Sequence, residues 1–243
     1  MTQQPVLVVE HEAQCPPGWV GEWLAETGRV VDVRRPYRGD DLPGRLDDHG
    51  GLLVLGGSMD AGSDDRHPWL GGVKHLLRAA AAEQVPALGI CLGHQLAAVA
   101  LGGSVHPNPL GQQIGVLDVG WSAAVVDDPL LGPVSGARRA VQWNNDVVAV
   151  LPPGAEVLAR AVTGEVQAAR FAPTVWGVQW HPEVGEEIVR AWADNDRDSA
   201  VERGVDVDEY VAAVAAARDE LRVSWAPLAT GFARMTREVA APW

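Results

Sequence analysis

Apolar runs of four or five residues alternate with longer amphipathic stretches through the first hundred positions of the chain. Residues 6–9 read Val-Leu-Val-Val, 52–55 Leu-Leu-Val-Leu and 87–90 Ala-Leu-Gly-Ile, each continuously apolar and not alternating. A strand needs that composition when both of its faces are covered, as in a parallel sheet wrapped by crossover helices. The pattern predicts strands over 6–9, 30–33, 52–55 and 87–90. It predicts helices over 19–26, closing at Gly28, over 69–82, and over 95–101, stopped by Gly102-Gly103. From 104 to 178 the texture changes to short β-type runs, at 114–119, 147–150, 156–161, 167–171 and 175–179. Turn formers such as Pro152-Pro153-Gly154 punctuate them, so antiparallel strands added to the parallel sheet are expected. After Pro182 the apolar positions Ile188, Val189 and Trp192, then Tyr210, Val211, Val214 and Leu221, then Trp225, Leu228 and Phe232 recur at helical spacing. The fold class expected is α/β, with a mixed, mainly parallel central sheet flanked by helices. One domain is expected over 1–192, with a helical C-terminal extension over 193–243 packed on it.

Composition narrows the classes of function. With 243 residues, 47% hydrophobic and 21% charged, the chain can bury a full core and is neither disordered nor fibrous. A net charge of −13 argues against a broad positive face for nucleic acid or anionic lipid, so small molecules or proteins are the expected partners. The start, Met1-Thr2-Gln3-Gln4-Pro5, lacks the basic and cleavage pattern of a signal peptide. The uncharged run 85–103 carries Pro86, His94, Gln95 and several glycines, costly groups to place in lipid. Two cysteines build no disulfide framework, so a cytoplasmic location is expected, with no membrane contact.

Three segments carry candidate chemistry. Gly89-Ile90-Cys91-Leu92-Gly93-His94-Gln95 places a cysteine between a buried strand and a helix, with glycine two residues to either side. Small neighbours permit the sharp turn of a nucleophile elbow, and a following helix N-terminus favours a thiolate. The same segment also reads as a turn around a buried, inert thiol. Trp180-His181-Pro182-Glu183 follows a strand-like run. It offers a base that could take the Cys91 proton and a carboxylate that could orient it, or simply a His-Pro turn beside a solvated glutamate. Gly56-Gly57-Ser58-Met59-Asp60 follows the third strand. It reads as half of an oxyanion hole completed by the Leu92 N–H, as a plain turn, or as a phosphate loop, the last disfavoured by the absence of a P-loop lysine.

Taken together and in this order, with Cys91 and His181 90 positions apart, these segments resemble the class I, triad-type glutamine amidotransferases. The resemblance is to free-standing proteins similar to the amidotransferase domain of GMP synthetase, and it covers residues 6–192. It implies a flavodoxin-like fold and hydrolysis of the glutamine side-chain amide to glutamate and ammonia. Cys91 is the implied nucleophile, with His181 and Glu183 completing the triad and the N–H groups of Gly57 and Leu92 forming the oxyanion hole. Gln95, Trp143, Asn144 and Gln113 are the implied substrate contacts, no metal or cofactor is implied, and a separate synthase is the implied acceptor of ammonia. The chain departs from the family at Trp143-Asn144-Asn145-Asp146, where relatives commonly carry His-Gly-Asp. It departs again at Gly111-Gln112-Gln113-Ile114-Gly115, where many carry glutamate at the third position. The alternatives are a partner-independent hydrolase of other γ-glutamyl amides and a non-catalytic protein that binds a partner.

The remaining features read as structural. His11, His49, His67, His75 and His106 show no metal-ligand spacing. Trp19, Trp23, Trp192 and Trp225 suit helix packing, with an aromatic substrate pocket as the alternative. Asp127-Asp128 and the acidic stretch 194–198 suit caps or solvated faces, and Cys15 reads as a loop thiol without a catalytic task.

Overall fold

The computed structural model describes residues 4–202 and 206–236 of the chain. Five parallel strands, β1 (Val6–Val9), β2 (Val31–Arg34), β3 (Gly51–Val54), β4 (Ala87–Ile90) and β11 (Val175–Val178), form the centre. β10 (Val166–Ala172) pairs antiparallel with β11, and β9 (Glu156–Arg160) antiparallel with β10, giving one seven-stranded sheet in the order β2-β1-β3-β4-β11-β10-β9. Every residue of β1, β3, β4 and β11 is buried. The pleat makes the continuous apolar run necessary, because Val6 and Val8 enter one core while Leu7 and Val9 enter the other. The first core is closed by α1 (Gly18–Glu26), α4 (Glu186–Glu202), α5 (Val207–Ala216) and α6 (Arg218–Met235). The second is closed by α2 (Trp69–Glu83) and α3 (Leu92–Ala100).

Two sequence expectations change. The runs at 114–119 and 147–150 do not join the main sheet: β6 (Gln113–Asp118) pairs with β7 (Arg139–Asn144), and β8 (Asp146–Val150) with β5 (Ser104–Pro107), as separate antiparallel ribbons. β5 and β7, with sequences Ser-Val-His-Pro and Arg-Ala-Val-Gln-Trp-Asn, carry no long apolar run: β5 is only partly covered, and β7, though buried at Ala140, Val141 and Gln142 in succession, includes the polar Gln142 and Asn144. The strand at 175–178 is also central and parallel to β4, not an antiparallel addition.

Three side chains pin the C-terminal helices to the sheet domain. Trp192 Nε1 donates to the Gln14 carbonyl at 2.7 Å, the Tyr210 hydroxyl to that of Gln142 at 3.2 Å, and Trp225 Nε1 to that of Arg139 at 3.2 Å. The expected boundary after Trp192 falls inside α4. Residues 1–3, residues 203–205 and 237–243 of the expected extension, and the side chains of Asp196 and Asp198 lie outside the described residues. Among the described residues no helix is long and apolar enough to cross a membrane.

Two histidines are sealed in this core. His94 on α3 packs against Gly177 and the Phe171 ring, and burial lowers its pKa to about 4; burial, then the nearby His67, lowers that of His11 to about 3. A folded-state value below the unfolded 6.5 means that the unfolded chain takes up the proton first. The contribution is therefore complete above pH 6.5 and is lost as pH falls through the window down to about 4 for His94. A loss on the order of 3 kcal/mol from His94 alone is expected across it. Urea unfolding at several pH values between 7 and 4 checks this, and His94→Gln should show a shallower decline than the wild type.

Candidate active site

The chain turns from β4 into α3 at a single residue, Cys91, which takes φ 49° and ψ −102°. A positive φ at a non-glycine residue costs on the order of 1–3 kcal/mol and persists only where the surroundings impose it. Here they do. Cys91 N–H donates to the Val178 carbonyl at 2.9 Å, and three backbones meet beside it. A Cβ on Gly89 would lie 2.3 Å from the Gly93 carbonyl oxygen, and one on Gly93 would lie 2.1 Å from the Val54 carbonyl oxygen. Only glycine at 89 and 93 lets β3, β4 and α3 approach this closely, and the result is a thiol held at the carboxyl edge of the sheet, in a cavity of about 460 Å³.

His181 follows β11, the neighbour of β4, and its N–H donates to the Val141 carbonyl at 2.8 Å. Its Nδ1 stands 2.7 Å from Glu183 Oε1, with both side chains almost fully buried. Facing a carboxylate, Nδ1 carries a proton, which leaves Nε2 for the sulfur of Cys91. Gly56 lies between the two: a Cβ there would be 3.0 Å from His181 Cε1 and 3.6 Å from Cys91 Cβ. Burial opposes charge on the imidazole, but the Glu183 carboxylate and the Cys91 sulfur outweigh it and raise the histidine's pKa above its ordinary value. Glu183 is clamped through its backbone. Its carbonyl accepts from Trp19 N–H at 2.8 Å, and Gly18, at φ +47°, approaches so closely that a Cβ would lie 2.1 Å from that oxygen. Trp192 packs edge-on to the imidazole with centroids 4.7 Å apart.

Gly57 and Leu92 are neighbours beside the thiol, and among the described residues neither backbone N–H has a partner. The loop that carries Gly57 is fixed by Glu12, which accepts from Ser58 N–H at 2.9 Å and from its hydroxyl at 2.7 Å. Two free donors beside a thiol paired with an imidazole can hold a carbonyl oxygen as it gains charge. The mouth of the cavity is acidic. Burial, then the nearby charge of Asp60, pushes the Asp146 carboxyl above the usual range.

Cys91, His181, Gly57, Gln95, Trp143 and Asn144 all line the cavity. Glu183 stands behind His181. Gln113 does not reach the cavity and stands behind Asn144, accepting from Asn144 Nδ2 at 3.2 Å and from Gln167 Nε2 at 3.0 Å. Gln95 spends its amide N–H groups on the Asp146 carbonyl at 3.1 Å and Gln179 Oε1 at 3.3 Å. Sequence reasoning missed three contributors. Cys15, on the loop after β1, lines the cavity and donates to Glu12 Oε1 at 3.3 Å; burial, then Glu12, pushes its thiol far above the ordinary range, so it stays protonated. Glu12 and Cys15 were legible only as residues following a central strand, where parallel sheets place their sites. Gln179 carried a clearer signal, as the one polar side chain closing a buried run.

The sequence model of the family described as "Glutamine amidotransferase class-I" matches residues 23–188. A component of the glutamine-hydrolysing GMP synthase of Methanosarcina barkeri is 44% identical over 116 residues, which span 43% of this chain and 57% of that protein. The chain thus spans little more than half the length of such curated relatives. The glutamine amidotransferase-like protein YfeJ of Salmonella typhimurium is 29% identical over 184 residues, 74% of this chain and 76% of that one. The crystal structure of a glutamine amidotransferase from Methylobacillus flagellatus superposes with a TM-score of 0.86 at 26% identity, covering 98% of each chain.

Proposed function

Because this chain belongs to the class I glutamine amidotransferases, we propose that it hydrolyses the side-chain amide of glutamine with Cys91, His181 and Glu183. The observation that carries the reading is the forced backbone of Cys91, which holds a thiol beside a carboxylate-bound imidazole in a cavity that Gly57 also lines, with Leu92 next in the chain. The Cys91 thiolate attacks the amide carbon, and the oxygen takes up negative charge toward Gly57 and Leu92. His181 gives its proton to the nitrogen, which leaves as ammonia. The γ-glutamyl thioester that remains is cleaved by water, deprotonated by the same imidazole, to give glutamate and the free thiol. Ammonia then passes to a synthase on a separate chain, in keeping with the Methanosarcina relative, which is one component of a synthase.

Treatment with a glutamine-like diazo ketone tests this reading. It should label Cys91 and leave Cys15 unmodified, because Cys15 stays protonated against Glu12. Peptide mass spectrometry showing equal labelling would overturn it. Glu183→Gln should retain measurable turnover, with kcat lower by tens to hundreds of times, since general-base catalysis as a whole contributes about 10² to 10⁴. Ammonia release by that variant beside His181→Ala checks the order: full activity in Glu183→Gln removes Glu183 from the mechanism.

One observation favours a second reading, hydrolysis of γ-glutamyl amides other than glutamine. Glu12, Asp60 and Asp146 line the cavity and, among the described residues, no lysine or arginine does, a lining suited to a substrate with an additional amine. Comparing kcat/KM for glutamine with that for the γ-glutamyl amide of a diamine separates the two.

A further inference from the structure

We propose that Gln179 is a catalytic residue that stabilises the Cys91 thiolate by donating an amide N–H to its sulfur, and that Gln95 fixes its orientation. Gln179 closes β11, is fully buried, and places Nε2 3.5 Å from Cys91 Sγ. An amide can present either nitrogen or oxygen to a neighbour, so its orientation must come from the hydrogen-bond network. Here a backbone carbonyl decides it. The Asp146 carbonyl can only accept, so the Gln95 atom facing it at 3.1 Å is the nitrogen. That same nitrogen faces Gln179 at 3.3 Å, which makes the facing Gln179 atom its oxygen. The other end of the Gln179 amide, turned to the sulfur, is therefore the N–H donor. The Gln179 backbone is held as well, with its N–H donating to the Gln167 carbonyl at 2.7 Å.

The donor matters because of what else surrounds the sulfur. The Trp143 carbonyl, 3.9 Å from Sγ, accepts from the neutral thiol and offers nothing to the thiolate. The ionisable groups around the site are His181 and Glu183 beyond β11, Glu12 and Cys15 after β1, Asp60 after β3, and Asp146 on β8. Of these only His181 can carry positive charge. A buried anion with one cationic partner and several acidic neighbours depends on each neutral donor, and hydrogen bonds to charged groups are the strong ones. The relay also links the nucleophile to the backbone of the Trp143-Asn144-Asn145-Asp146 segment, where the chain departs from the pattern common in its family.

The assignment of a reacting thiolate rests on the proposed reaction, so the test reads the thiol itself. Iodoacetamide alkylation of the full-length protein is followed across pH 5–9, with the Cys91 peptide quantified by mass spectrometry. The variants are Gln179→Met, which keeps the length of the side chain, and Gln179→Leu, which is shorter; both remove the donor without adding a charge. Both should alkylate Cys91 about tenfold more slowly at neutral pH and need a higher pH to reach the wild-type rate. Superimposable profiles for wild type and either folded variant would overturn the proposal. A wild type that releases no ammonia from glutamine yet shows the Gln179-dependent profile would refute the reaction and leave the relay standing. An active wild type with a Gln179-independent profile would do the reverse.

Discussion

Cys91→Ser is expected to lower ammonia release from glutamine by at least about 10⁴-fold while the protein remains folded, the size of loss seen when a nucleophile is removed from a triad. Serine fits the site, because it accepts the same backbone and its side chain is smaller. What it lacks is acidity: a hydroxyl ionises far less readily than a thiol near neutral pH, and a single buried imidazole does not close that gap. The shorter C–O bond also draws the oxygen back from the Gln179 amide, which stands 3.5 Å from the sulfur. Steady-state ammonia release, with circular dichroism to confirm folding, decides the outcome. A variant within tenfold of the wild type would remove Cys91 from the mechanism.

Gly93→Ala is expected to cost about 3 kcal/mol or more of stability, at the upper end of what overpacking produces. The added methyl would lie 2.1 Å from the Val54 carbonyl oxygen and 2.9 Å from its carbon, so it meets the backbone of a central strand and not the yielding end of a side chain. Relief requires α3 to move off β3, and Leu92 and Cys91 move with it. Alkylation of Cys91 should therefore lose its selectivity over Cys15 in the fraction that remains folded. Gly136→Ala is the control. That glycine sits in an exposed turn with open space at its Cβ, and its substitution should change stability by less than about 0.5 kcal/mol. Urea midpoints of the two variants compare them directly, and equal midpoints would show that the β3–α3 contact is not as close as described.

The parts of the fold that were legible in the sequence are those where one local property decides. β1, β3 and β4 were readable because burial on both faces demands an unbroken apolar run. β5 and β7 were not, because β5 is only partly covered and β7 is interrupted by the polar Arg139, Gln142 and Asn144, two of them buried, which break the apolar run that burial would otherwise leave. α3 begins at Leu92, three residues before the expected Gln95, since Gly93 in its first turn weakens the local helical signal.

At the site, the sequence by itself marked out the candidate groups. A cysteine with glycine two residues to either side, a His-Pro-Glu after a strand and a Gly-Gly after another each state a local backbone requirement, and local requirements are written in neighbouring residues. Only the tertiary structure decided what surrounds them. Cys15 lies 76 positions from Cys91, and Gln179 lies 88. Gln113 was expected at the substrate and instead stands behind Asn144, because both its donors come from strands that meet it only in space. The direction of the Gln179 amide is set by a carbonyl 33 residues away acting through a third side chain. A hydrogen bond of this kind leaves no periodicity and no spacing in the chain, because its cause is the pairing of strand ends that the sheet order β3-β4-β11 brings to one edge.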